Sequence, residues 1–119
     1  MYTVEYYKKI AGPSPAKEFV DALPSQPQGK LIRRVKLLEQ FGPDLPRPYA
    51  DKVHGKIREL RMIFSGVQYR MLYFFDKDKI IMTHGFIKKS DEIPFREIYI
   101  AEKYMNDYFI RSSMQGGGR

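Results

Sequence analysis

The residue that most needs an explanation is Arg70. It stands between Tyr69 and Met71 and is followed by Leu72-Tyr73-Phe74, inside an otherwise apolar strand pattern. A charge in such a run costs free energy unless it is paired or reaches a solvated site. Spacing leaves two accounts open: an ion pair with Glu59 on the neighbouring strand, or a functional cation facing a groove, where it would contribute little to stability. Arg58 and Arg61 are three apart, which on a strand puts them on opposite faces, so at most one shares the face of Arg70. Lys88-Lys89 closes a further strand pattern after His84-Gly85-Phe86-Ile87. His84 alternates with Met82 and Phe86 and reads either as a proton-transfer group or as a hydrogen-bonded core histidine. The strand-borne cations also read as ordinary solvated charges. What they could do together is hold an anion, because guanidinium forks and ammonium groups bind phosphate and carboxylate.

Composition removes other chemistries. The chain has no cysteine, which excludes disulfides, thiolate zinc sites and cysteine nucleophiles. Two histidines cannot build a zinc site alone, and no zincin or P-loop string is present, so neither metal nor cofactor is expected. No apolar run approaches the roughly 18 residues of a membrane span and no signal peptide opens the chain. A soluble, cytoplasmic protein is the expectation. The net charge of +7 is uneven: +3 over residues 1–50, +5 over 51–90 and −1 over 91–119. A localised basic excess suggests a polyanion or an acidic protein partner, with solubilising charge as the plain alternative.

These residues need elements to position them. Tyr2 to Tyr7 is aromatic and β-branched and reads as a strand. Ser14-Pro15 reads as a capping hydroxyl followed by proline at the first helical position, and Ala16, Phe19, Val20 and Leu23 give one helical face. Pro27 opens a second helix with the stripe Leu31, Val35, Leu38. Its exposed side carries Lys30, Arg33, Arg34 and Lys36, and Gly42-Pro43 stops it. Gly42 to Gly55 holds three prolines without periodicity and reads as a surface loop. The period then changes to two over Ile57–Phe64, Val67–Phe75 and Lys79–Ile87, an antiparallel meander with short polar turns. Glycine at 85 marks a bulge or a close approach of another chain segment. Pro94 starts a third helix, and residues 112–119 read as a disordered tail. The order β-α-α-β-β-β-α predicts an α+β fold: a small antiparallel twisted sheet with a helical hairpin and a C-terminal helix, the helices on one side. At this length one domain is expected, over residues 1–111.

Three stretches in order carry a family resemblance. Arg58-Glu59-Leu60-Arg61, then Gln68-Tyr69-Arg70-Met71-Leu72-Tyr73-Phe74-Phe75, then His84-Gly85-Phe86-Ile87-Lys88-Lys89 are similar to the consecutive strand motifs of RelE/ParE-superfamily toxins. The similarity is closest to the phage-derived, HigB-like branch and spans residues 1–110. It implies the toxin half of a type II toxin–antitoxin pair. RelE-like members cut mRNA in the ribosomal A site without a metal, whereas ParE-like members share the fold and inhibit DNA gyrase. The resemblance implies that Arg70 contacts the scissile phosphate, that Arg58 and Arg61 supply the basic residues of the preceding strand, and that Lys88 and Lys89 supply the basic pair. Some cutting members place a catalytic tyrosine or histidine just after that pair. Here Ser90-Asp91-Glu92-Ile93-Pro94 follows, leaving His84, Tyr73 and Tyr99 as local substitutes.

Such chemistry suits these residue types. The 2′-hydroxyl of the RNA is its own nucleophile, so the protein must align it, neutralise charge on the phosphoryl oxygens and move two protons. Arginine fits the second task because its planar fork stays protonated. The leading expectation is therefore an mRNA endonuclease toxin. A gyrase inhibitor or other protein-binding toxin comes second, and a phage RNA-binding accessory protein third. The implied partner is an antitoxin, DNA-binding itself, that is acidic where it covers the basic face or that displaces the C-terminal helix.

Overall fold

The computed structural model describes residues 1–116. Its elements are β1 (Thr3–Tyr6), α1 (Pro15–Asp21), α2 (Ser25–Phe41), a 3-10 turn (Gly42–Asp44), β2 (Ala50–His54), β3 (Ile57–Phe64), β4 (Val67–Asp76), β5 (Lys79–Lys88) and α3 (Phe95–Gly116). The α+β reading holds. Five strands form one sheet in the order β1-β5-β4-β3-β2. The sheet is mixed rather than antiparallel, because β1 runs parallel to β5 at its edge, with Val4 opposite Ile80.

Helices cover both faces, not one. On one face α1 and α2 bury Val20, Leu31 and Leu38 against Leu60, Met62, Met71 and Met82. On the other α3 lays Ala101, Met105 and Tyr108 over Ile57, Leu72, Phe74 and Ile81. The double cover explains why β4 is apolar on both faces. The third helix also continues through residues 112–116, where the sequence reads as tail; residues 117–119 lie outside the described residues.

Local chemistry sets the joints. Gly42 ends α2 at φ +55°, and Tyr2 packs so close that a Cβ there would lie 2.2 Å from its ring. Only glycine meets both demands. Ser14 occupies the cap position of α1, but its hydroxyl donates to the Tyr7 carbonyl at 2.8 Å, tying the end of β1 to the helix instead of capping it. The expected loop 42–55 contains β2, with Ala50 opposite Leu60 and Lys52 opposite Arg58. All three prolines precede that strand, and what makes it a strand is pairing with β3.

In β5 the alternation breaks. Leu72 faces His84 while Tyr73 faces Met82, so Thr83 is an extra residue in the ladder. His84 and Phe86 therefore turn to the α3 face, whereas Met82 points to α1 and α2. His84 does not share a face with Met82, as strict alternation implied. A Cβ on Gly85 would lie 2.3 Å from the Phe19 ring, so the glycine serves the close approach of α1.

Candidate functional site

The register decides which cations meet. Arg61 stands directly opposite Arg70, and Glu59 lies two residues along β3 on the same face. Glu59 is 5% exposed and is shared by both arginines. Arg61 donates to Glu59 Oε2 through Nη2 at 2.9 Å and Nε at 3.1 Å. Arg70 Nε sits 2.9 Å from Glu59 Oε1, but the two are not aligned as donor and acceptor, so the contact is ionic rather than a directed hydrogen bond. Arg70 completes its coordination through Nη2 to Gln68 Oε1 at 2.8 Å and Nη1 to the Tyr69 carbonyl at 3.2 Å. The chain of charges extends outward, with Arg61 Nη2 at 3.1 Å and Arg47 Nε at 2.8 Å from Asp51 Oδ2. Arg47 holds the Asp51 carboxyl below its ordinary pKa. Burial lowers the pKa of Arg70, and Glu59 opposes that shift; the guanidinium stays cationic near neutrality.

Beyond Leu60 the outer edge of β3 has no partner strand, and α2 takes over. Arg61 N–H donates to the Tyr49 carbonyl at 2.8 Å. Arg34 donates to the Arg61 carbonyl and Lys30 to the Ile63 carbonyl, satisfying acceptors that an open edge would leave bare. The result is a cleft of about 240 Å³ lined by Lys30, Arg34, Arg61 and Arg70 with Tyr49 and Ile63, and with no carboxylate. The Arg34 guanidinium lies 4.7 Å from the centre of the Tyr49 ring. On the other side of Arg61 is a second cleft of about 340 Å³, where Lys52, Arg61 and Lys88 are interleaved with Asp51, Glu59, Asp91 and Glu92.

The five strand-borne cations named from the sequence are thus divided. Arg61 and Arg70 meet. Arg58 is on the opposite face, across from Tyr73 and 5.7 Å from the centre of the Phe75 ring. Lys88 reaches the acid-rich cleft, its Nζ donating to the Asp91 carbonyl at 2.7 Å. Lys89 is exposed just past β5 and lines neither cleft. His84 is buried under the first turn of α3, with Nε2 3.0 Å from Glu97 Oε1 and Nδ1 3.1 Å from Thr83 Oγ1. Burial pushes its pKa below the ordinary histidine value, against the pull of Glu97.

The other proton-transfer candidates fare differently. Tyr73 is 1% exposed and its phenol is pushed up to about 12, chiefly by burial, so it is no base at neutral pH. Tyr99 is 62% exposed on α3. What residue reasoning missed is the contribution of α2. Lys30 and Arg34 read as a solvated face, and only their one-turn spacing hinted that both could address a single strand edge. Among the described residues, no three His, Asp or Glu side chains gather as a metal site, and no helix is long and apolar enough to cross a membrane.

A cleft lined by cations and no carboxylate is chemically suited to an anion and to negative charge that grows on it. Its neighbour, with four carboxylates to three cations, is less suited to one. A family model described as "phage derived protein Gp49-like" matches residues 18–106, from α1 into α3, and so covers both clefts. No curated protein matches the chain.

Proposed function

This chain belongs to the phage-derived Gp49-like family, within the RelE-like group of type II toxins, and from that premise we propose that it is a toxin that cleaves mRNA without a metal, on the ribosome. The carrying observation is the convergence of Lys30, Arg34, Arg61 and Arg70 on one cleft that no carboxylate lines. In this reading Arg61, held by Asp51 and Glu59 yet part-exposed, meets the scissile phosphate. Arg70 adds charge from beneath and fixes Glu59. The attacking 2′-hydroxyl comes from the substrate, so the protein's main task is to neutralise the phosphorane. Arg58, Lys88, Lys89 and His84 take no direct part in the resting geometry. The toxin domain is residues 1–111, its partner an antitoxin, and its place of action the cytoplasm.

One observation favours the second reading, a gyrase inhibitor or other protein-binding toxin: the family-matched Arg70 is already engaged by Glu59, Gln68 and Tyr69. Induced expression in a bacterium with parallel readouts separates the two. An early, selective stop in protein synthesis, with cut mRNA, is the expected result. DNA damage with intact translation would overturn it in favour of the second reading. If the neighbouring small gene gives neither a complex nor relief of toxicity, the antitoxin assignment fails.

A further inference from the structure

We propose that the seam between α2 and β3 is a grip for single-stranded RNA, in which one nucleobase stacks on Tyr49 while Lys30 and Arg34 hold the flanking phosphates. The inference rests on the reading of the basic cleft as an RNA site but not on cleavage.

Tyr49 keeps 37% of its surface open at the mouth of the cleft. It is held there from both sides of its own backbone: its N–H donates to the Pro46 carbonyl at 3.0 Å, and its carbonyl accepts from Arg61 at 2.8 Å. The backbone that carries the ring is therefore fixed before any ligand arrives, which lowers the entropy cost of binding. The Arg34 guanidinium against it, 4.7 Å from the ring centre, adds a second planar group suited to a base.

The two helix cations are fixed without being consumed. Lys30 gives one of its three donors to Ile63, and Arg34 gives one of its five N–H groups to Arg61, so each has donors left for phosphate oxygens. Their one-turn separation on α2 places them in line along the strand edge. The acid-rich cleft beyond Arg61, with four carboxylates, closes that direction to a polyanion. A strand that touches Arg61 must therefore continue toward Tyr49.

The occupant is a nucleic acid rather than an acidic peptide, because a peptide carboxylate would use the cations and leave the exposed part of the Tyr49 ring, away from Arg34, uncovered. A base covers it, at about 1–3 kcal/mol per stacked base by alanine substitution, roughly 5- to 150-fold in affinity. The strand is single, since bases in a duplex are already stacked on one another. Neither contact needs the 2′-hydroxyl, so a non-cleavable strand is a fair probe.

The test is a titration of the full chain with a fluorescein-labelled, all-2′-O-methyl RNA decamer, followed by anisotropy. Inorganic tripolyphosphate and a poly-glutamate peptide serve as competitors. Tyr49→Ala should weaken decamer binding about 5- to 150-fold and tripolyphosphate binding by much less. Tyr49→Phe should bind as the parent does, and Lys30→Gln should weaken both ligands. Lys36→Gln, on the same helix outside the cleft, should weaken neither by as much as Lys30→Gln. Should Tyr49→Ala melt lower than the parent, Tyr49→Leu keeps the apolar bulk and removes only the aromatic face. Decamer binding by Tyr49→Ala or Tyr49→Leu within twofold of the parent overturns the proposal. Poly-glutamate that binds more tightly than the decamer overturns it in favour of an acidic-peptide site. Ribosomal mRNA left uncut by a chain that still shows Tyr49-dependent binding would sink the nuclease reading and leave the grip standing. Cleavage without Tyr49 dependence would do the reverse.

Discussion

Glu59 is one buried carboxylate serving two arginines, and that asymmetry separates their roles. Removing one side of a buried pair leaves the other charge uncompensated, at a cost of about 3–5 kcal/mol. Because Arg61 would still hold Glu59 at 2.9 Å, Arg70→Met should fall near the lower limit, about 3 kcal/mol. Combining it with Glu59→Gln should restore most of the loss, since no charge then remains buried. Thermal melting of the two variants tests this, and an unchanged melt for Arg70→Met would mean the pair does not hold the strands. Arg61→Ala leaves Arg47 on Asp51 and Arg70 on Glu59. It should melt close to the parent while toxicity drops roughly 100- to 1000-fold, the usual cost of losing one charge-stabilising donor. A fully toxic, stable Arg61→Ala would remove that residue from the site. The sequence offered the Glu59 pair as one of two accounts for Arg70, and the pair is present; the expectation that a charge at 70 contributes little to stability is decided by the Arg70→Met melt. Lys30 and Arg34 were not legible, because basic residues one turn apart look the same whether they face water or a strand edge.

At the level of elements, three strands of the meander were readable from alternation alone and β2 was not, while Gly85 signalled a bulge or a close approach: the bulge falls two residues earlier, at Thr83, and the glycine itself serves the approach of Phe19. The strand β2 has no apolar period of its own and exists through its partner. The bulge adds one residue, which leaves the composition of β5 unchanged and reverses the direction of what precedes it. Gly85→Ala tests the packing behind that strand. The added methyl would press on Phe19, and overpacking of this kind costs about 1–3 kcal/mol. A second substitution, Phe19→Leu, should return part of it, and strict additivity of the two melts would show that the contact is not the cause. The anchor of α3 gives a pH dependence. His84 has a depressed pKa in the folded chain, so the unfolded chain takes the proton first as pH falls below about 6.5. Stability present above that pH should therefore decline on acidification until the folded value is passed, and His84→Gln should flatten the melting curve between pH 7 and 5. A slope unchanged by that substitution would assign the acid sensitivity to other groups.

For the whole molecule, with a net charge of +7, the proposed RNA binding should weaken as salt rises. Three or four phosphate contacts predict a log–log slope of about −2 to −3 for a single strand, at about 0.7 per contact. A slope near −5, about 0.7 for each of the seven net charges, would mean the total charge, and not the cleft, does the binding. Alkali acts on the fold through tyrosines. Burial, with hydrogen bonds to Asp107 and Asp76, raises Tyr7 and Tyr108 to about 12, and burial raises Tyr73 to about 12. The unfolded chain ionises first, near pH 10, so stability should fall as pH rises from 10 toward 12, as melting curves across that range will test. The parallel pairing of β1 has a consequence in time. Residues 3–6 find their partners only at 79–82, so on a translating ribosome the first strand made is among the last to be housed. Until then its tyrosines are open to chaperones and proteases, and the Tyr7 hydroxyl that must reach Asp107 waits longer still. A chain cut short in synthesis therefore leaves that N-terminus as a handle for degradation.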